Sequence, residues 1–207
     1  MKVDQSNKDE LEKLPGEYIK FRMEKCKINE LNLSDKDRRN ILRYSDKQIE
    51  YELKNLISNV NCEKKLKLKI GAQVMCVANI DMESKFPIYN GSQGIIKDFT
   101  EYGPLVKFNN GTTRIISKHI WQSENIKSVA IKQIPLILAW AITIHKSQGA
   151  SIDIAEIDVG SKIFECGQTY VALSRIKTLN GLYLKSFNPD KIKVNDKVKN
   201  FYRNLIE

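Results

Sequence analysis

The sequence predicts an α/β protein with a small antiparallel β module set inside it. Two observations carry this expectation. Between residues 66 and 122, short apolar stretches are separated by Gly and Asn turns, the pattern of a compact antiparallel barrel. From residue 129 onward, apolar strand-like runs alternate with helix-like segments, which predicts an α/β layer with a largely parallel sheet. At 207 residues and 42% hydrophobic, the chain can bury a core as one compact domain or two small ones.

The elements follow in order. Residues 1–65 are strongly polar, with a turn at Leu14-Pro15-Gly16-Glu17. Tyr18 to Met23 alternates in part and reads as a short strand. Ser34-Asp35 and Ser45-Asp46 both read as helix N-caps. After the second, Ile49, Leu53, Leu56 and Ile57 recur at helical spacing, so an amphipathic helix is expected over 46–59.

In 66–128, Leu66, Leu68 and Ile70 alternate with lysines, and Gly71 leads into Val74-Met75-Cys76-Val77. Turns at Asn90-Gly91 and Asn109-Asn110-Gly111 separate further short strands, at the size of an SH3-like or OB-like module. In 129–207, Ile134 to Ala141 reads as a buried strand and Ile152 to Val159 as a second. Gly167 to Ile176 reads as a helix, Leu182 to Leu184 as a third strand, and Asn195-Asp196 as the cap of a last helix.

Composition narrows the function classes. Thirty-four basic and 25 acidic residues leave a net charge of +9, which suits a polyanionic partner. A Lys-rich background composition gives the same excess, so charge alone does not decide. The longest mainly apolar run, Ile134 to Ile144, is too short to span a bilayer, and the polar first ten residues are not a signal peptide. A soluble, intracellular protein without a membrane partner is expected. Cys26, Cys62, Cys76 and Cys166 form no Cys-x-x-Cys pair, so no metal site is assigned and reduced, mostly buried thiols are expected.

Two stretches concentrate the chemistry: Ala139 to Ser151, and Gly167 to Arg175. Each is an apolar run that breaks into a polar cluster. No Gly-x-x-x-x-Gly-Lys-Ser/Thr phosphate loop occurs in the 207 residues. Together with Leu14-Pro15-Gly16-Glu17, Leu68 to Met75, Asn90 to Gly94 and Gln133 to Leu136, these stretches resemble the landmarks of Pif-type DNA helicases, RecD-like members of superfamily one. The landmarks occur in the family's order and correspond to the C-terminal part of its motor.

The resemblance implies a fold and a division of labour. Residues 1–65 would be the first part of a second RecA-like domain and a connector. Residues 66–128 would be an inserted SH3-like barrel, and 129–207 the rest of that P-loop-NTPase-type domain. A missing N-terminal RecA-like half would carry the phosphate loop and the acidic pair for Mg²⁺. ATP and Mg²⁺ would serve the complete motor, and this chain alone would not hydrolyse ATP. The implied DNA partners are single strands and forked or G-quadruplex DNA. The implied compartment is the nucleus or mitochondrion in a eukaryote, or the cytoplasm in a bacterium or virus.

Residue by residue, Arg175 matches the arginine finger, a contact worth roughly 10³–10⁵ in rate in other NTPases. The bland alternative is an arginine capping its own helix C-terminus. Gln148, Gly149 and Ser151 would lie near the nucleotide, where glycine lets backbone approach a phosphate. Thr143, His145, Lys146 and Ser147 would grip the DNA backbone without reading sequence. Asn90 and Lys97, with Gly91, would line a strand-contacting loop. Gln168 and Tyr170 are either functional or packing residues. Trp121 is either a base-stacking platform or core, Trp140 is expected in the sheet, and Lys191, Lys193, Lys197 and Lys199 on a solvated face.

The reading is the C-terminal part of an ATP-dependent 5′-to-3′ DNA helicase. The alternatives are a non-catalytic module that binds single strands or a partner, and a domain of a relaxase or exonuclease subunit.

Overall fold

The computed structural model describes residues 2–206. It opens with a helix, α1 (Lys2–Lys13), over a stretch read from the sequence only as polar. One face is enough to dock it: Leu11 joins the largest core cluster, and the Asn7 side chain is buried. Strands β1 (Ile19–Arg22) and β2 (Glu24–Lys25) follow. Helices α2 (Asp35–Asn40) and α3 (Asp46–Asn59) begin where their caps are expected. Ser34 Oγ accepts the Asp37 N–H. Ser45 and Gln48 close a capping box, which satisfies amides at the start of α3.

The antiparallel module comprises β3 (Lys65–Leu68), β4 (Gln73–Cys76), β5 (Gln93–Thr100), β6 (Gly103–Phe108) and β7 (Thr113–Ile115). After it come β8 (His119–Gln122), β9 (Ala130–Gln133) and β10 (Leu136–Leu138). The last third holds β11 (Ala155–Val159), α4 (Gln168–Leu173), β12 (Leu182–Phe187) and α5 (Asp196–Ile206).

The chain is mixed α/β as expected, but its strands are not arranged as the sequence suggested. Five strands form one antiparallel sheet in the order β10-β4-β5-β6-β7. Among the described residues no pairing closes β7 onto β10, so this is an open sheet and not a closed barrel. The reason is that β8 leaves it to pair with β9, in a three-stranded sheet completed by β2.

The expected largely parallel sheet also needs correction. The buried run after Ile134 pairs antiparallel with β4, Leu136 opposite Cys76 and Leu138 opposite Val74. A continuous apolar run reveals burial but not the direction of its partner. Among the described strands only β11 and β12 pair in parallel.

The largest core lies under the five-stranded sheet, where Leu66, Leu68, Val74, Ile96, Val106 and Leu136 are fully buried with Leu11 of α1. A second cluster packs Leu53 of α3 against Ile126, Val129 and Ile131. Gln133 is fully buried between segments: its Nε2 donates to Phe21 O and Glu63 O, and its Oε1 accepts the Ile134 N–H. A buried amide is tolerated when each polar atom has a partner, and this one ties three segments together. The C-terminal third is different. Tyr183, Leu184 and Phe187 on β12, and Val198, Phe201, Tyr202 and Leu205 on α5, are all exposed. No helix among the described residues is long and apolar enough to cross a membrane.

Candidate functional site

After β10 the chain leaves the sheet and turns through residues 143–149. The turn is built by its own polar side chains. Thr143 Oγ1 accepts the Lys146 N–H at 3.2 Å, and Ser147 Oγ donates to Ile144 O at 2.8 Å. Ser147 is therefore buried within the turn, while His145, Gln148 and Gly149 are exposed. Gly149 reverses the chain at φ +72°, in the left-handed region that favours glycine.

Two residues of α1 that sequence reasoning missed hold this turn in place. Asn7 donates to Ala141 O at 2.7 Å and accepts the Ala141 N–H at 2.9 Å, clamping the exit from β10. Asp4 lies 3.6 Å from the Lys146 ammonium, so that cation is already partly compensated. No sequence signal marks Asn7: a single polar residue in a polar helix looks like any other. Nearby, burial raises the Glu63 carboxyl above the usual carboxylate range, with Lys146 pulling the other way.

Two further segments converge on the turn. Ser151 N–H reaches Asn90 O at 3.4 Å, and Asn90 is oriented by its own N–H bond to Asn79 Oδ1 at 2.8 Å. Gly91 has φ +95°, and a Cβ there would stand 2.6 Å from Ser151 N. Only glycine lets the Asn90-Gly91 turn seat this closely. On the other side, Ile152 N–H donates to Arg175 O at 2.9 Å and Ile152 O accepts the Lys177 N–H at 3.1 Å, a short parallel bridge. Asn90, Gly149, Ser151 and the Arg175 backbone thus form one continuous patch.

Lys97 does not join it. It is exposed at a bulge of β5, four residues beyond Gln93, more than about 10 Å along the strand from the Asn90-Gly91 turn.

Arg175 follows α4, shorter than the helix expected over 167–176. Its Nε donates to Val171 O at 3.1 Å and its Nη2 to Ser174 Oγ at 3.0 Å. The guanidinium therefore caps the last turn of its own helix, and Nη1 makes no hydrogen bond among the described residues. Gln168 Oε1 accepts the Phe164 and Glu165 N–H groups. Tyr170, in contrast, is 75% exposed and packs into no core. Trp121 packs against the second core cluster, edge-on to His119, whose pKa is lowered by burial. Trp140 packs against the largest cluster. The expectation of mostly buried thiols needs correction: Cys76 is buried, Cys26 and Cys62 are half-buried, and Cys166 is exposed. Cys166 lies in the loop just before Gly167, outside any core.

Comparison with known proteins gives a consistent picture. Residues 52–99, from within α3 to within β5, match the family model described as DNA helicase Pif1, 2B domain. The chain is 38% identical over 159 residues to the ATP-dependent DNA helicase PIF1 of Xenopus laevis, covering 72% of this chain and 25% of that protein. It therefore spans about a quarter of that relative's length. Among solved structures, a double mutant of the Pif1 helicase from Bacteroides is 29% identical with a TM-score of 0.71, over 98% of this chain and 42% of the other. Pif1 helicase from Bacteroides in complex with ADP-AlF3 and ssDNA is 28% identical with a TM-score of 0.59, over 98% and 42%.

Proposed function

Since this chain is a relative of the Pif1-type DNA helicases and corresponds to their C-terminal part, we propose that it forms the C-terminal part of an ATP-dependent 5′-to-3′ DNA helicase. It supplies one wall of a nucleotide cleft and part of the grip on single-stranded DNA. The observation that carries this reading is the patch where Asn90, the 143–151 segment and Arg175 meet. The solved relative bound to both ADP-AlF3 and ssDNA supports both roles.

The donor set fits this division. Gln148, Gly149, Ser151 and Arg175 offer amide, hydroxyl and guanidinium donors, which suit the oxygens of a phosphate chain. ATP brings the transferable phosphoryl group. With Nη1 left free of hydrogen bonds, Arg175 would place positive charge where negative charge develops on that group. Carboxylates for Mg²⁺ would come from outside this chain. Thr143 and Ser147 shape the turn, so His145 and Lys146 are left as the groups that reach a strand's phosphates. The exposed apolar residues of β12 and α5 support packing against a further part of a longer protein, the RecA-like half that bears the phosphate loop.

One observation favours a second reading. Arg175 satisfies its own helix and Lys146 is paired with Asp4, as in a module that binds a strand or partner without catalysis.

The test is anisotropy of labelled oligo-dT at two salt concentrations, alongside DNA-stimulated ATP hydrolysis. The proposed role expects salt-sensitive binding, weakened several-fold by His145→Ala, and no turnover by the chain alone. Failure to bind at low salt overturns the grip. Turnover by purified chain overturns the division of labour. If Arg175→Ala leaves turnover unchanged in a longer protein that includes the phosphate-loop half, the non-catalytic reading is the right one.

A further inference from the structure

The β1–β3 ribbon has two unlike faces. Its inner face carries Phe21, Leu66 and Leu68 into the core. Its outer face carries Lys20 directly opposite Lys67, and Arg22 directly opposite Lys65. All four are exposed. Like charges in register across two strands repel, so this arrangement destabilises the ribbon unless an anion lies on it.

Several cations elsewhere stand beside carboxylates: Arg114 with Asp81, Lys118 with Glu24, Lys132 with Glu30, Lys177 with Asp153. The four ribbon cations form no such pair among the described residues. Instead the Tyr18 ring gathers two of them, with Lys67 Nζ 4.4 Å and Lys20 Nζ 5.4 Å from its centroid. A ring face holds ammonium groups without neutralising them. At one end of the ribbon, Gln133 Nε2 donates to both Phe21 O and Glu63 O and ties it to the segment that leads into β10.

We propose that this outer face is a second nucleic-acid contact, which seats two successive phosphates of a single strand. The inference rests on the DNA-binding reading above. Cations two residues apart on one strand stand about 6.8 Å apart, a spacing that suits successive phosphates of an extended single strand. Contacts of this kind hold the backbone and read no sequence.

The test uses the 207-residue chain and labelled oligo-dT across a salt series. One variant combines Lys20→Gln, Arg22→Gln, Lys65→Gln and Lys67→Gln. A control removes the same charge from the C-terminal region, with Lys191→Gln, Lys193→Gln, Lys197→Gln and Lys199→Gln. The ribbon variant is expected to bind about tenfold more weakly or worse. The slope of log affinity against log salt should fall by roughly 1.4, about 0.7 for each phosphate released. Its melting temperature should not fall, because repulsion has been removed. Lys67→Glu, which sets a carboxylate opposite Lys20, should melt higher and still bind more weakly. That variant keeps the test valid if the fourfold variant misfolds.

An unchanged slope in the ribbon variant, with His145→Ala still weakening binding, overturns this proposal and leaves the functional reading intact. An equal loss in the C-terminal control also overturns it. Tighter binding of blunt duplex than of oligo-dT overturns the single-strand assignment. No binding by the wild type at any salt concentration sinks both readings together.

Discussion

At the residue scale, the thiols of Cys62 and Cys76 are protected by burial, which pushes the first up to about 12 and the second to about 11. The ordinary value is 9.0, so the folded chain holds these protons to higher pH than the unfolded chain does. Their stabilisation is therefore intact below about pH 9 and is lost as pH rises through the folded values. The urea midpoint should stay level from about pH 7 to 8.5 and decline by about pH 10.5, and a Cys62→Ala, Cys76→Ala double variant should flatten that decline. An identical decline in the variant would assign it to other groups. Candidate residues stood out in the sequence only where a side chain sits in a motif. Arg175 stood out in its block, yet its bonds to Val171 and Ser174 depend on a rotamer that sequence does not encode.

At the element scale, α1 depends on few contacts, chiefly Leu11 in the core and Asn7 on the β10 exit. Asn7→Ala leaves the half-buried Ala141 N–H and C=O without this partner and should cost about 1 kcal/mol. Thermal unfolding would measure this, and hydrogen exchange should show faster protection loss at Ala141 and through the 143–149 turn. A variant as stable as wild type would show that α1 does not position the turn. This helix was invisible in the sequence because its apolar face is too thin to stand out from a polar background. In contrast, α3 was legible: Ser45-Asp46 announces its start, and Ile49, Leu53, Leu56 and Ile57 keep the helical period. The buried run at β10 was legible as a strand but not as a partner of β4, since pairing direction lies in the connections.

At the scale of the whole molecule, the first two thirds of the chain and its last third are finished to different degrees. The sheets of the first two thirds enclose their cores, while β12 and α5 leave seven large apolar side chains in water among the described residues. Such a surface drives association when nothing covers it. The isolated chain should self-associate as concentration rises, and Phe201→Glu with Leu205→Glu should shift it toward monomer, as read by light scattering on a sizing column. A wild type that remains monomeric throughout would mean that this face is tolerated bare. The α/β class was readable at this scale, but the openness of the five-stranded sheet was not, because it follows from where β8 pairs. The bonds from Ile152 to Arg175 and Lys177 have a mechanical consequence. They fasten the segment that follows the 143–149 turn to the segment that carries the arginine. Under the proposed function, load on the strand and timing of the chemistry would share a single moving part.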